Sequence, residues 1–284
     1  MSLPSLALLL TSALWGTTFV AVKSGLRDAS PLLFVGIRFS IAAIAAIPLC
    51  RTRGPAARAA ARAGVPLGMV LAGSYATQTL GLEVTTPSRS AFVTGLNVAI
   101  VPLWAALLLG RPARPLSLLG LAVTLPGLWL LTSPAGGSWN VGDTWTIACA
   151  ILFALHVTLI HKWGSTLDRG ALLLSQLALT AVLCLAASAV LEEPRLEPSG
   201  DLALALLVTA VLATVGTTWL QLRFQPRVDP TRAALIYVTE PLFAAGFAWL
   251  LVGETLPAIA WLGGALILAG MVLSELGALA PGRK

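Results

Sequence analysis

Several stretches of this chain, among them residues 3–22, 90–110, 170–191, 202–222 and 255–274, contain no Asp, Glu, Lys or Arg. Each is about 20 residues long, enough for a helix to cross a hydrocarbon core of about 30 Å. Uncharged runs of that length read as membrane-spanning helices rather than buried soluble helices. Five further apolar runs lie near 31–50, 64–82, 116–133, 141–160 and 233–252, separated by short segments rich in Gly, Pro and Arg. The runs are continuous rather than alternating, which excludes a transmembrane β-barrel. Only 11% of the 284 residues are charged and 57% are hydrophobic, too few charges to cover a soluble surface. A soluble enzyme, a disordered chain and a coiled coil are excluded, and no room remains for a soluble domain. The expected fold is an all-α polytopic membrane protein with ten transmembrane helices.

Charge sets the expected orientation. With the N-terminus inside, the inner connections hold Arg51, Arg53, Arg58, Arg62, Arg111, Arg114, Lys162, Arg169, Arg223, Arg227, Arg232, Arg283 and Lys284, 13 of the 18 Lys and Arg. The outer connections hold Lys23, Arg27, Arg89 and Arg195, which is 4, and Arg38 lies within the second run. Cytoplasmic loops collect Lys and Arg, so both termini are expected in the cytoplasm. Lys23 and Arg27 run against the bias. The net charge of +6 is accounted for by topology and gives no reason to invoke nucleic acid. No Lys or Arg precedes the first run, so it reads as a retained span rather than a signal peptide. Cys50, Cys149 and Cys184 lie in or beside apolar runs, with no pairing or metal-binding spacing, and read as packing residues.

The chain also resembles itself. A shift of 143 positions lays Pro87-Ser88-Arg89-Ser90-Ala91 on Pro230-Thr231-Arg232-Ala233-Ala234, Gly73 on Gly216, Gln78 on Gln221, Gly110 on Gly253, Gly120 on Gly263 and Gly127 on Gly270. A weaker shift of 138 lays Trp15 on Phe153, Thr18 on His156 and Arg38 on Gln176. Residues 1–135 and 136–284 are therefore expected to form two five-helix repeats. Five spans per repeat put the second copy into the membrane upside down, the plan of many secondary transporters. Pro102 falls opposite Ala245 rather than Pro241, so the helix breaks are expected to be unsymmetric.

Trp15-Gly16-Thr17-Thr18-Phe19, Arg38-Phe39, Gln78-Thr79-Leu80-Gly81-Leu82, Ser90-Ala91-Phe92, Glu240-Pro241-Leu242-Phe243 and Gly253-Glu254-Thr255-Leu256, in that order and spacing, resemble the drug/metabolite transporter superfamily, specifically its ten-helix EamA-type branch. The chain departs from the pattern at Gly110-Arg111, where the family often has Gly-Glu. The resemblance implies two inverted repeats around a central cavity in the cell inner membrane. It also implies export of small organic solutes, such as amino acids or amphipathic drugs, by alternating access. The alternative is a polytopic membrane enzyme acting on lipid-linked substrates, but that chemistry gathers polar residues at one membrane face and this chain scatters them. A non-transporting scaffold leaves the repeat and Glu240-Pro241 without a purpose.

Glu240 is the acidic residue deepest within an apolar run. It lies eight positions after Arg232, about 12 Å along a helix. A carboxylate at that depth costs about 2.5–3.5 kcal/mol and should face a cavity or a partner. Pro241 denies the carbonyl of Tyr237 its helical partner. Asn97 is the register counterpart of Glu240. Arg38 either binds an anionic group or completes an internal ion pair, and pairing is favoured by the cost of an isolated guanidinium. His156 relays protons, donates to substrate, or packs; His161 is interfacial. Trp15, Tyr75, Trp104 and Tyr237 lie on runs that line the cavity in the family. Thr18, Gln78 and Gln221 complete the expected substrate site. Trp139, Trp145 and Trp163 read as aromatic-belt residues, while Trp219 and Trp249 lie within runs. Gly120, Gly127, Gly263, Gly264 and Gly270 read as close-packing positions. No phosphate-cradling loop or metal motif is present. The expected partners are a small-molecule substrate, lipid and protons as a coupling ion, with no cofactor.

Overall fold

A computed structural model describes residues 1–85, 87–132, 139–252 and 257–279. The Gly253-Glu254-Thr255-Leu256 motif, the 135/136 repeat boundary, Arg283 and Lys284 lie outside these residues, as does the side chain of Trp249. The described residues are helical, with a single isolated β-bridge between Ala29 and Leu196. In order the helices are α1 (Leu3–Gly16), α2 (Thr18–Gly25), α3 (Pro31–Ala46), α4 (Pro55–Val84), α5 (Pro87–Gly95), α6 (Asn97–Leu109), α7 (Pro115–Thr132), α8 (Val141–Trp163) and α9 (Arg169–Leu191). They continue with α10 (Gly200–Leu207), a π-helical segment (Val208–Gly216), α11 (Thr217–Phe224), α12 (Pro230–Tyr237), α13 (Glu240–Val252) and α14 (Ala258–Leu279).

Eight segments among the described residues are long and apolar enough to cross a membrane. The other two expected runs are α4 and the α12–α13 pair. Ser74, Tyr75, Thr77, Gln78 and Thr79 dilute the apolar character of α4, and α12–α13 is interrupted at Val238 and Thr239. Both line the central cavity, where polar residues are tolerated inside a membrane. Large apolar side chains cover the outside: Leu107 is 75% and Val190 81% exposed. In water such a surface would aggregate; in a bilayer it faces its proper solvent. The chain is an all-α polytopic membrane protein.

Three runs are interrupted at mid-length: at Thr17 between α1 and α2, at Leu96 between α5 and α6, and at Val238 and Thr239 between α12 and α13. The register of 143 carries Leu96 onto Thr239. This corrects the expectation of unsymmetric breaks for that pair; the break at Thr17 maps by the shift of 138 to residue 155, inside an uninterrupted α8. Pro102 sits inside an uninterrupted α6, and Pro241 occupies the first turn of α13, where a missing N–H costs nothing. At the end of α12 the Tyr237 carbonyl is covered from α1, whose Ser12 hydroxyl donates to Tyr237 O at 2.9 Å and also to Ile236 O at 3.2 Å, which accepts from Thr239 as well.

Helix contacts follow the same exchange. α1 packs on α12 and α13, as α8 packs on α5 and α6; α3 packs on α9 and α7 on α14. The α7–α14 seam is built on glycine. A Cβ at Gly127 would lie 2.7 Å from Gly263 O, and one at Gly120 2.5 Å from Gly270 O. The pairs 120–270 and 127–263 run antiparallel and exchange under the register, which maps 120 to 263 and 127 to 270.

Candidate functional site

The interrupted helices meet around a central cavity with about 700 Å³ of space free of protein atoms. α1 and α2 present Trp15, Thr18, Phe19 and Val22; α4 presents Tyr75, Gln78, Thr79 and Leu82. Each set has the spacing i, i+3, i+4, i+7, a single helical face. Arg38, Thr94, Asn97, Phe153, Val157, Gln221, Tyr237 and Glu240 complete the wall. A smaller space of about 250 Å³ continues between the two register-related breaks, against Thr94, Asn97, Tyr237 and Glu240.

Asn97 and Glu240 each occupy the first position of a half-helix. Among the described residues, no hydrogen bond or ion pair engages the Glu240 carboxylate or the Asn97 amide. Glu240 is the one acidic residue among those lining the cavity. Aromatic surface stands close by: the Trp15 and Tyr237 rings lie 5.3 Å apart, as do Tyr75 and Phe153. Trp15 Nε1 donates to Ala213 O at 3.2 Å, which fixes its ring. Tyr237 donates to Gln225 Oε1 at 2.9 Å and Gln225 Nε2 donates to Val157 O at 2.6 Å, closing the floor at that end.

Arg38 is used differently from the expected ion pair. It forms none among the described residues. Its Nε donates to Thr214 Oγ1 at 2.9 Å, its Nη2 reaches Ala213 O at 3.5 Å, and its charge lies over the Tyr75 ring at 4.7 Å and the Phe39 ring at 5.7 Å. These acceptors belong to the π-helical segment, where Thr214 itself donates to Thr209 O. A π turn interrupts the regular helical ladder, and here a hydroxyl and one carbonyl of that turn receive the guanidinium. The desolvated cation is supported by dipoles and ring faces, leaving Glu240 uncommitted.

Of the expected site residues, Trp15, Thr18, Arg38, Tyr75, Gln78, Asn97, Gln221, Tyr237 and Glu240 line the cavity, and Trp104 and His156 do not. Trp104 lies seven residues beyond Asn97, about 10 Å further along α6, and packs on the core around Val98 and Val101. His156 is buried and hydrogen-bonded to Gln176 Oε1 of α9 at 3.0 Å. Sequence reasoning missed Phe19, Val22, Thr79, Leu82, Thr94, Phe153 and Val157. The register held part of the signal: Phe153 is the counterpart of Trp15, and Thr94 that of Tyr237.

Each end of the bundle carries a clasp. Arg89 at the start of α5 pairs with Asp143 at the start of α8, 2.7 Å apart. At the opposite end, Arg232 of α12 pairs with Glu275 of α14 at 2.8 Å. Ser5 of α1 donates to the same carboxylate at 3.1 and 3.2 Å. The register maps Arg89 onto Arg232, and the shift of 138 maps Ser5 onto Asp143, so α5 and α8 on one side correspond to α12 and α1 on the other; the acid of the second clasp comes from α14, the counterpart of α7 rather than of α8.

The sequence matches the EamA-like transporter family over residues 3–133 and again over 140–276. The chain belongs to this family. An uncharacterized transporter of Archaeoglobus fulgidus is 27% identical over 271 residues, covering 95% of this chain and 85% of the relative. The uncharacterized inner membrane transporter YedA of Escherichia coli K12 is 27% identical over 271 residues, covering 93% and 88%. An S-adenosylmethionine/S-adenosylhomocysteine transporter of Chlamydia muridarum is 26% identical over 267 residues, covering 87% and 84%. A protein crystal structure superposes with a TM-score of 0.80 at 18% identity, covering 98% of this chain and 99% of that one, which shows a shared fold. The chain is a membrane transporter and not an enzyme, so the lipid-modifying alternative falls.

Proposed function

We propose that the chain is a secondary transporter that exports small organic solutes across the cell inner membrane by alternating access between two inverted five-helix repeats, with both termini cytoplasmic. The observation that carries the substrate reading is the Glu240 carboxylate, which has no protein partner among the described residues in an aromatic cavity. A carboxylate beside ring faces suits an amine-bearing or otherwise cationic solute with an apolar body. Gln78, Asn97 and Gln221 add amide groups that suit a polar tail. Amino acids and amphipathic cationic drugs have these features. S-adenosylmethionine, named for the Chlamydia relative, combines a sulfonium cation with an amino-acid group and a flat base.

The corresponding breaks at Leu96 and Thr239, the glycine seam and the matching positions of Arg89 and Arg232 support the repeat reading. The direction, export, rests on the family resemblance. The cytoplasmic termini rest on the Lys and Arg bias, and the inner membrane on that resemblance together with YedA. As the one acid lining the cavity, Glu240 is where a proton and a cationic solute would compete, so we assign it the coupling role. Purified protein in liposomes, screened across amino acids, amines and aromatic drugs with and without a pH gradient, tests the reading. Gradient-driven flux of cationic solutes is expected. No flux of any cationic solute would refute the substrate class, and flux indifferent to the gradient would refute coupling.

A further inference from the structure

An open groove lies between α4 and α9, where the α3–α4 connection turns. The helices themselves explain it. Further along, α4 and α9 touch closely: a Cβ at Gly68 would lie 3.0 Å from Gln176 O, and Gly64 abuts Ser175. The groove beside this contact is lined by Ala57 and Ala61 on α4 and by Ala171, Leu174, Ser175 and Ala178 on α9. Most of these side chains are small, so an apolar groove remains between the helices.

The mouth of the groove is cationic. Arg53 and Arg58 line it, both exposed, and among the described residues neither makes an ion pair or hydrogen bond. The nearby carboxylate is already used: Asp168 caps α9 through Ala171 N at 2.8 Å and accepts from the Thr52 hydroxyl at 2.5 Å. Val65 and Met69 of α4 and Val182 and Leu183 of α9 are exposed, so the groove crosses from the lipid-facing belt to the basic edge. A basic pocket between membrane helices at that depth fits an anionic headgroup, and the apolar groove fits an acyl chain. We infer that this groove binds an anionic phospholipid, its phosphate at Arg53 and Arg58 and one chain between α4 and α9.

Delipidated protein in detergent, titrated with phosphatidylglycerol and followed by native mass spectrometry and thermal unfolding, tests this. Phosphatidylcholine with the same chains and inorganic phosphate serve as comparisons. R53Q/R58Q is expected to bind phosphatidylglycerol about thirtyfold more weakly, at the typical contribution of an arginine beside an anionic lipid. The charge-matched R51Q/R62Q should bind like the parent. Ala61→Phe, which fills the groove and keeps both arginines, should also lose binding, so the inference survives a folding failure of R53Q/R58Q. Equal binding of phosphatidylcholine, equal binding of phosphate alone, an equal loss in R51Q/R62Q, or unchanged binding in R53Q/R58Q or Ala61→Phe would each overturn it.

Discussion

Ser12 donates its hydroxyl to the main-chain carbonyl of Tyr237 at 2.9 Å, across 225 positions of sequence. That contact fastens α1 to the end of α12, three residues ahead of the first residue beyond the break, and so fixes where Glu240 stands. An unmet buried carbonyl costs about 1–3 kcal/mol. Ser12→Ala should lower the melting temperature in detergent; an unchanged melting temperature would show that the break is held by other contacts.

The α7–α14 seam predicts a reciprocal effect. Gly127→Val and its register counterpart Gly270→Val should each destabilise the protein by about 1–3 kcal/mol, because the added atoms meet the opposing main chain. Thermal unfolding of both variants checks it. A loss in one alone would contradict the exchange of the two helices.

The fold was legible because membrane helices are chemically extreme. Uncharged length announces a span, and the register announced the glycine seam before any coordinates. Eight segments stand out by length and apolarity, whereas α4 and α12–α13 are diluted or interrupted because they face the cavity. The site was partly legible. Glu240 and Asn97 were found because polar groups at membrane depth need a reason. Apolar lining residues such as Val22 and Val157 carry no such mark, since valine on a cavity and valine on lipid look alike in sequence. Arg38 was assigned an acid partner because sequence does not reveal that a π turn will offer Thr214 and Ala213 O instead. Lys23, which opposed the charge bias, donates to the carbonyls of Leu82, Glu83 and Thr85 at 2.6, 3.2 and 3.3 Å. It caps the end of α4, a use that overrides a loop-charge statistic.

The two clasps should act in opposite directions. Asp143→Asn loosens the Arg89 end and should increase labelling of a cysteine at Thr79 by a maleimide confined to the outside, by about fivefold for a clasp of about 1 kcal/mol. Glu275→Gln loosens the other end and should decrease it. Change in the same direction in both variants would contradict a two-sided gate.

A cysteine at Ser199, the N-cap of α10, should react from outside intact cells, as expected if the α9–α10 connection is external. Reaction only after the membrane is opened would invert the assigned orientation.

The most direct measurement is solute flux through Glu240→Gln in liposomes, beside the parent. The side chain keeps its size and loses its charge, and no protein partner is described that would be left unpaired. The account predicts that a cationic substrate of the parent loses about tenfold or more in apparent affinity, as expected when a charge-assisted contact is removed. It also predicts that the dependence on a pH gradient disappears while the melting temperature holds. Transport at the parental rate, affinity and gradient dependence would contradict the central claim and make Glu240 a packing residue.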